Sequence, residues 1–291
     1  MLAFKRYFTD DSRRDIAEIL RCGDAAAVSI IGQKPLLKEE TAVWEVPFED
    51  EDFIWSAGII PDDTSADSEG QMRQILEKYE ALLSAQGLSI RDNCLRTWIF
   101  VRDIDNNYAG VVKGRKDYFD TIGLTEKTHY IASTGIEGNH ADSSVLVTMD
   151  AFAVRGIDAR QVKYLQALDH LNPTHEYGVT FERGTAFTHN GHRHLFISGT
   201  ASIDDKGNVL YIGNVRKQTE RAVENIRALL KDSPFPVNLE DAAQAIVYLR
   251  NDEDAPTVRA ALAELVPGLK YIMVHGPVCR PTWLVEIECW F

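Results

Sequence analysis

VCRPTWLVEIECWF, residues 278–291, is the stretch on which the reading of this chain turns. From Trp283 onward it alternates as a strand does. Val285, Ile287, Cys289 and Phe291 fall on one face, and Leu284, Glu286, Glu288 and Trp290 on the other. The first face is a continuous apolar row, suited to packing on helices. The second sets two carboxylates between a leucine and a tryptophan, with Arg280 just upstream. A carboxylate flanked by large apolar groups either reaches solvent or is kept for a purpose.

Upstream, the same order of elements occurs twice. The first copy reads FIWSAGI at 53–59, a helix GQMRQILEKYEALLSAQG, a strand LRTWIFVRD, a helix over 108–122 and a strand VLVTMDAFAV at 145–154. The second reads HLFISGTASI at 194–203, a helix VRKQTERAVENIRALL, a strand AAQAIVYLRND, a helix over 256–265 and the closing strand. Gln71 matches Gln218, and Ile99-Phe100-Val101-Arg102 matches Val247-Tyr248-Leu249-Arg250. Met72, Ile75, Leu76, Tyr79, Leu82 and Leu83 make one helical stripe; Ala222, Val223, Ile226, Leu229 and Leu230 make its counterpart. Pro256 sits where a first-turn proline is tolerated. His189-Asn190-Gly191-His192 predicts a hairpin. The fold class is therefore α+β, with helices on one face of a mixed sheet in each copy. The units are 1–156 and 172–291. Each sheet leaves one face open, for the other copy or another chain to cover.

Composition narrows the partners. The chain has 291 residues, 45% hydrophobic, enough for one large or two ordinary cores. A net charge of −13, with no dense Lys/Arg cluster, argues against nucleic acid. No apolar run approaches the roughly 20 residues that span a bilayer, so no membrane is expected. The opening MLAFKRYFTDDSRRD has no signal-peptide pattern. Cys22, Cys94, Cys279 and Cys289 are scattered, which fits a reducing cytoplasm and no structural disulfide. A small carboxylate metabolite remains a natural partner, since one or two desolvated arginines outweigh a distant negative field.

These residues resemble a known family. SGTASI at 198–203, Gln218 with its helix, AIVYLRN and the closing LVEIE resemble the Rid (YjgF-like) family. The tandem arrangement is similar to the chorismatase branch in its RTWIFVRDI, VKGRKDYF, EYGVTFERGTA, SGTASI and VCRPTWLVEIE segments. The span from Tyr-Gly to Phe-x-Arg is short by comparison, as is the N-terminal portion. The resemblance implies two tandem chorismate-mutase-like (Rid-like) domains, a homotrimer, and sites in clefts, which in the family lie between subunits. It implies a cofactor-independent hydrolase with neither metal nor organic cofactor.

On this pattern Glu286 is the candidate acid. Cleaving an enol ether needs a proton on its methylene carbon, and a carboxyl delivers it near neutrality only when burial raises its pKa. The alternative for Glu286 is a simple ion pair with a neighbouring arginine. Leu284 and the cleft would supply the burial. Arg280, Arg183 and Arg115 are candidate carboxylate clamps, although Arg115 also reads as an exposed helix charge. Tyr177 would bond a substrate hydroxyl or carboxylate. Ser198, Gly199 and Thr200 end a strand, where Gly199 lets backbone approach a ligand. Cys279 would line the cleft with no paired His to make it a nucleophile. Glu288 reads as structural. His189, His192 and His194 look like a metal cluster at first sight. The Asn-Gly turn puts His189 and His192 at a hairpin tip, where histidines are usually solvated, and no carboxylate or Cys lies at ligand spacing, so no metal is expected.

Three functions are open. The first is hydrolysis of an enolpyruvyl ether such as chorismate, with release of pyruvate. The second is Rid-type enamine/imine deamination, whose carboxylate-binding arginine would fall near Tyr271. The third is non-catalytic binding of small carboxylates.

Overall fold

The alternation and helical stripes become two layered bodies in the computed structural model, which describes residues 3–10, 25–37, 41–47 and 51–291. In the first body β4 (Phe53–Ile59), β5 (Cys94–Val101), β6 (Ala132–Glu137) and β7 (Val147–Val154) form a sheet in the order β4-β7-β5-β6. In the second, β8 (Val162–Tyr164), β9 (Gly184–His189), β10 (His192–Ala201), β11 (Gln244–Leu249), β12 (Tyr271–His275) and β13 (Val285–Trp290) run β12-β11-β13-β10-β9-β8. Four consecutive strands of each sheet match: β4 with β10, β7 with β13, β5 with β11, β6 with β12. The pairings β5–β6 and β11–β12 are parallel and the others between these strands antiparallel. A third sheet, β1 (Ala3–Thr9), β2 (Ala25–Gly32) and β3 (Thr41–Pro47), has the order β2-β1-β3.

The parallel strands β6 and β12 are additions to the repeat as read from sequence. Each follows the second helix of its copy, and ASTGIE has too many small residues to alternate clearly. Cys22 lies outside the described residues; Cys94, Cys279 and Cys289 are free thiols.

Two helices back each sheet: α1 (Ser68–Ser84) and α2 (Ile104–Ile122) in the first body, α3 (Val215–Lys231) and α4 (Ala255–Leu265) in the second. Asp67 caps α1 by accepting the Gly70 N–H, and Asn214 caps α3 through the Lys217 N–H. Gln71 and Gln218 recur for a physical reason. Gln71 donates to the Ser144 carbonyl and accepts the Leu146 N–H; Gln218 donates to the Thr282 carbonyl and accepts the Leu284 N–H. Each of these two buried amides thus ties its helix to the entry of β7 or β13 and has both its oxygen and its nitrogen paired.

The faces away from the helices meet in the middle of the molecule. Trp98, Phe152, Phe187 and Phe196 form an aromatic layer there, with Trp98 edge-on to Phe196 at 6.0 Å. Phe4 of β1 stacks on Trp55 of β4 at 4.6 Å. The faces expected to need cover are therefore covered within one chain. Among the described residues no helix is long and apolar enough to cross a membrane.

The hairpin forms as expected, with Asn190 and Gly191 at φ 48° and 82°. Its histidines are not all solvated, however. His189 is buried and 2.9 Å from Asp52, and His194 is buried against Phe53 and Phe187. The N-terminal neighbour Asp52-Phe53, far off in sequence, covers them.

Candidate functional site

One cavity of about 370 Å³ opens where the two bodies meet. It is bounded by α2, β6, the segment before β9, the bulge of β10, the loop before β13, and β13 itself. Of the expected residues it gathers Glu286, Arg183, Arg115, Arg280, Gly199 and Cys279.

Ser198, Gly199 and Thr200 lie within β10 rather than at its end. The pairing with β13 slips between Ile197 and Thr200, so this is a β-bulge. Gly199 is required there by space: a Cβ would stand 1.8 Å from Glu286 Oε1 and 2.6 Å from its Cδ. The carboxyl lies directly over the glycine. Ser198 and Thr200 do not line the cavity. Ser198 donates to the Glu182 carbonyl and accepts the Ser133 N–H, and Thr200 donates to the Ser198 carbonyl. They hold the bulge. Tyr177 ends a 3-10 turn, and its side chain falls outside the described residues; Gly178 beside it lines the cavity.

Glu286 is 6% exposed, and among the described residues no donor bonds its carboxyl. Burial, reinforced by Glu288, raises its pKa from 4.5 to about 8, against the opposing pull of Arg183 and Arg96. The desolvating wall is Tyr108, Ala201, Ile203, Cys279 and Trp283; Leu284 is not part of it.

The arginines sit at different depths. Arg115 is 4% exposed, not a surface helix charge: its Nε donates to Thr180 at 3.1 Å and its Nη1 to Ser133 at 3.4 Å. Arg183 is buried, donates to the Asn172 carbonyl at 3.2 Å and lies 5.2 Å from the Phe181 ring. Arg280 is half-buried, donates to the Gly207 carbonyl at 2.9 Å and stacks 4.7 Å from Trp283. Three guanidinium groups thus border one crevice, a setting for a carboxylate or dicarboxylate.

Tyr108, Ser133 and Trp283 line the site without having been singled out from sequence. Tyr108, Val112 and Arg115 do share the i, i+4, i+7 face of α2, a spacing that marks one side of a helix. Burial raises the Tyr108 hydroxyl well above its ordinary pKa and pushes the Cys279 thiol up to about 12, and both groups line the cavity. Both stay protonated near neutrality, so Cys279 is no thiolate nucleophile.

The first copy carries no equivalent acid. Phe100 pairs with Thr148 as Tyr248 pairs with Glu286, so Thr148 occupies the matching position. By the same register Ser133 is the counterpart of Tyr271.

Comparison with known proteins follows this architecture. Residues 185–290 match the family described as endoribonuclease L-PSP. A RutC family protein of Pyrococcus horikoshii is 32% identical over 96 residues, covering 32% of this chain and 75% of that protein. The 3-aminoacrylate deaminase RutC of Acinetobacter baylyi is 27% identical over 96 residues, covering 32% and 74%. A chorismatase crystal structure is similar over 100% of this chain and 92% of its own, with a TM-score of 0.71 and 21% identity. That last likeness is one of fold.

Proposed function

The chain belongs to the Rid (RutC, endoribonuclease L-PSP) family, and on that premise we propose that it is a chorismatase-like hydrolase of a small enolpyruvyl-ether carboxylate, chorismate or an analogue, that releases pyruvate. The observation that carries this reading is the buried carboxyl of Glu286, bonded by no donor among the described residues, facing a crevice bordered by Arg183, Arg115 and Arg280.

In this mechanism the arginines bind the substrate carboxylates and bring the enol-ether methylene toward Glu286. The acid gives its proton to the methylene carbon, making a methyl group and an oxocarbenium ion. Water adds to the cationic carbon, and the proton it sheds returns to Glu286. The resulting hemiketal collapses to pyruvate and the ring alcohol, so one water is consumed for each ether cleaved. A carboxyl with a pKa of about 8 holds its proton at neutral pH and is a strong enough acid to release it.

A second reading, enamine or imine deamination, draws support from the deaminase among the relatives. Against it, the position of that group's carboxylate-binding arginine is Tyr271, which does not line the cavity. Its first-copy counterpart, which does, is Ser133.

Incubation with chorismate, with pyruvate followed through lactate dehydrogenase, tests the proposal. Turnover by the wild type and its loss in Glu286→Gln are expected; no pyruvate from the wild type would end it. Ammonia release from 2-aminoacrylate would favour the deaminase. Chorismate bound but unchanged would favour a binding protein.

A further inference from the structure

Glu288 stands two residues beyond Glu286 on the same face of β13. It is 4% exposed and both of its oxygens are engaged. Oε1 accepts from Trp98 Nε1 at 2.9 Å and from the Tyr248 hydroxyl at 3.2 Å. Oε2 accepts from Arg96 Nη2 at 2.7 Å and from the Thr134 hydroxyl. Thr134 itself accepts the Gly199 N–H at 2.9 Å. With four donors directed at it, Glu288 has no place for a proton and is an anion.

The first copy has the same device. Asp150, the register counterpart of Glu288, accepts from Arg6 Nε at 2.8 Å and from the Gly58 N–H at 2.8 Å, where β4 carries its own bulge. An acid pinned by a buried arginine therefore builds the bulge in both copies. What differs is its neighbour: Thr148 in the first copy, an ionisable acid in the second.

We propose that Glu288 is a positioning residue for Glu286, a fixed anion that anchors the bulge beneath that carboxyl through Thr134 and Gly199 and by its charge keeps the acid proton in place. The kinetic consequence rests on Glu286 being the proton donor; the electrostatic coupling does not. Among the described residues the other titratable or charged groups beside Glu286 are Arg183 from the segment before β9, Arg96 from β5, Tyr248 from β11, Tyr108 and Arg115 from α2, and Cys279 and Arg280 from the loop before β13. The arginines are cations and burial keeps the tyrosines and the thiol neutral, which leaves Glu288 as the one anion among these.

The test is a carbon-13 NMR titration of protein labelled at glutamate carboxyls, with the Glu286 signal assigned by its loss in Glu286→Gln. In Glu288→Gln the Glu286 midpoint is expected to fall by about one pH unit. Because that variant strands the Arg96 guanidinium, Arg96→Met with Glu288→Gln provides a second background, with a smaller fall in the same direction. Thr134→Val keeps the anion and should leave the midpoint in place. The alkaline limb of pyruvate release should move in step with the midpoint. A midpoint unmoved in the folded Glu288 variants, or moved as far by Thr134→Val, would overturn the proposal. A wild type that shows the coupling and releases no pyruvate would uphold it while removing the hydrolase reading.

Discussion

Replacing Glu286 by glutamine should change how stability depends on pH, whatever the substrate is. The carboxyl is 6% exposed and its pKa rises from 4.5 to about 8 on folding. Between those values the folded chain holds a proton that the unfolded chain has released. Unfolding therefore sheds a proton, and each rise in pH favours the unfolded state. The sign is that of an acid raised by burial: the wild type is free of this penalty below the unfolded pKa and loses stability as pH climbs toward the folded one. At about 1.4 kcal/mol per unit, the span from 4.5 to about 8 corresponds to roughly 4–5 kcal/mol. Glutamine fills nearly the same space and cannot ionise. Urea unfolding followed by tryptophan fluorescence, run on both proteins from about pH 5 to about pH 8, reads the difference as a shift in midpoint at constant slope. Glu286→Gln should gain on the wild type steadily, by roughly 3–4 kcal/mol across that range. Parallel curves would mean that the carboxyl ionises as freely folded as unfolded, and the account of a retained proton would be wrong.

Gly199→Ala would force the Glu286 carboxyl aside, since its new Cβ would stand 1.8 Å from Oε1; a fall in kcat of about 100-fold, with a small change in urea midpoint, is expected. Arg183→Leu should weaken binding of a carboxylate substrate by about 10–100-fold, measured by calorimetry, because a buried charge-assisted contact is lost. Turnover should decline above about pH 8 as Glu286 loses its proton, and a profile flat through that region would count against it as the acid. The cavity is walled by elements of one chain, so specific activity is expected to hold on dilution into the nanomolar range. A fall in parallel with loss of a light-scattering trimer would place part of the site on a neighbour.

Much of this was legible in the residues. Period-2 alternation placed Glu286 and Glu288 on one face, and the matched glutamines and Arg-ended strands revealed the duplication. Arg115 was harder: its neighbours in the chain are charged, and its burial comes from Thr180 and Ser133, reached only through the fold. Tyr108 was likewise hidden, because the partner that reveals its importance, Cys279, lies on the other body. His189 read as exposed because a hairpin tip normally is, and Asp52 and Phe53 cover it from outside the hairpin. Local pattern determines which way a side chain leaves its own strand or helix; what it then meets is set by long-range closure.

Thr148, sitting where its twin carries a carboxylic acid, has a consequence for how such a molecule can change. When identical subunits build a crevice, every substitution is made in all of them at once. Here two fused halves are free to diverge, one supplying a helix wall of tyrosine and arginine and the other a strand bearing the acid. On the proposed function the seat between those halves is asymmetric, so a lopsided guest can be recognised end from end, which a symmetric assembly of equal clefts achieves only by repeating the same seat around its axis.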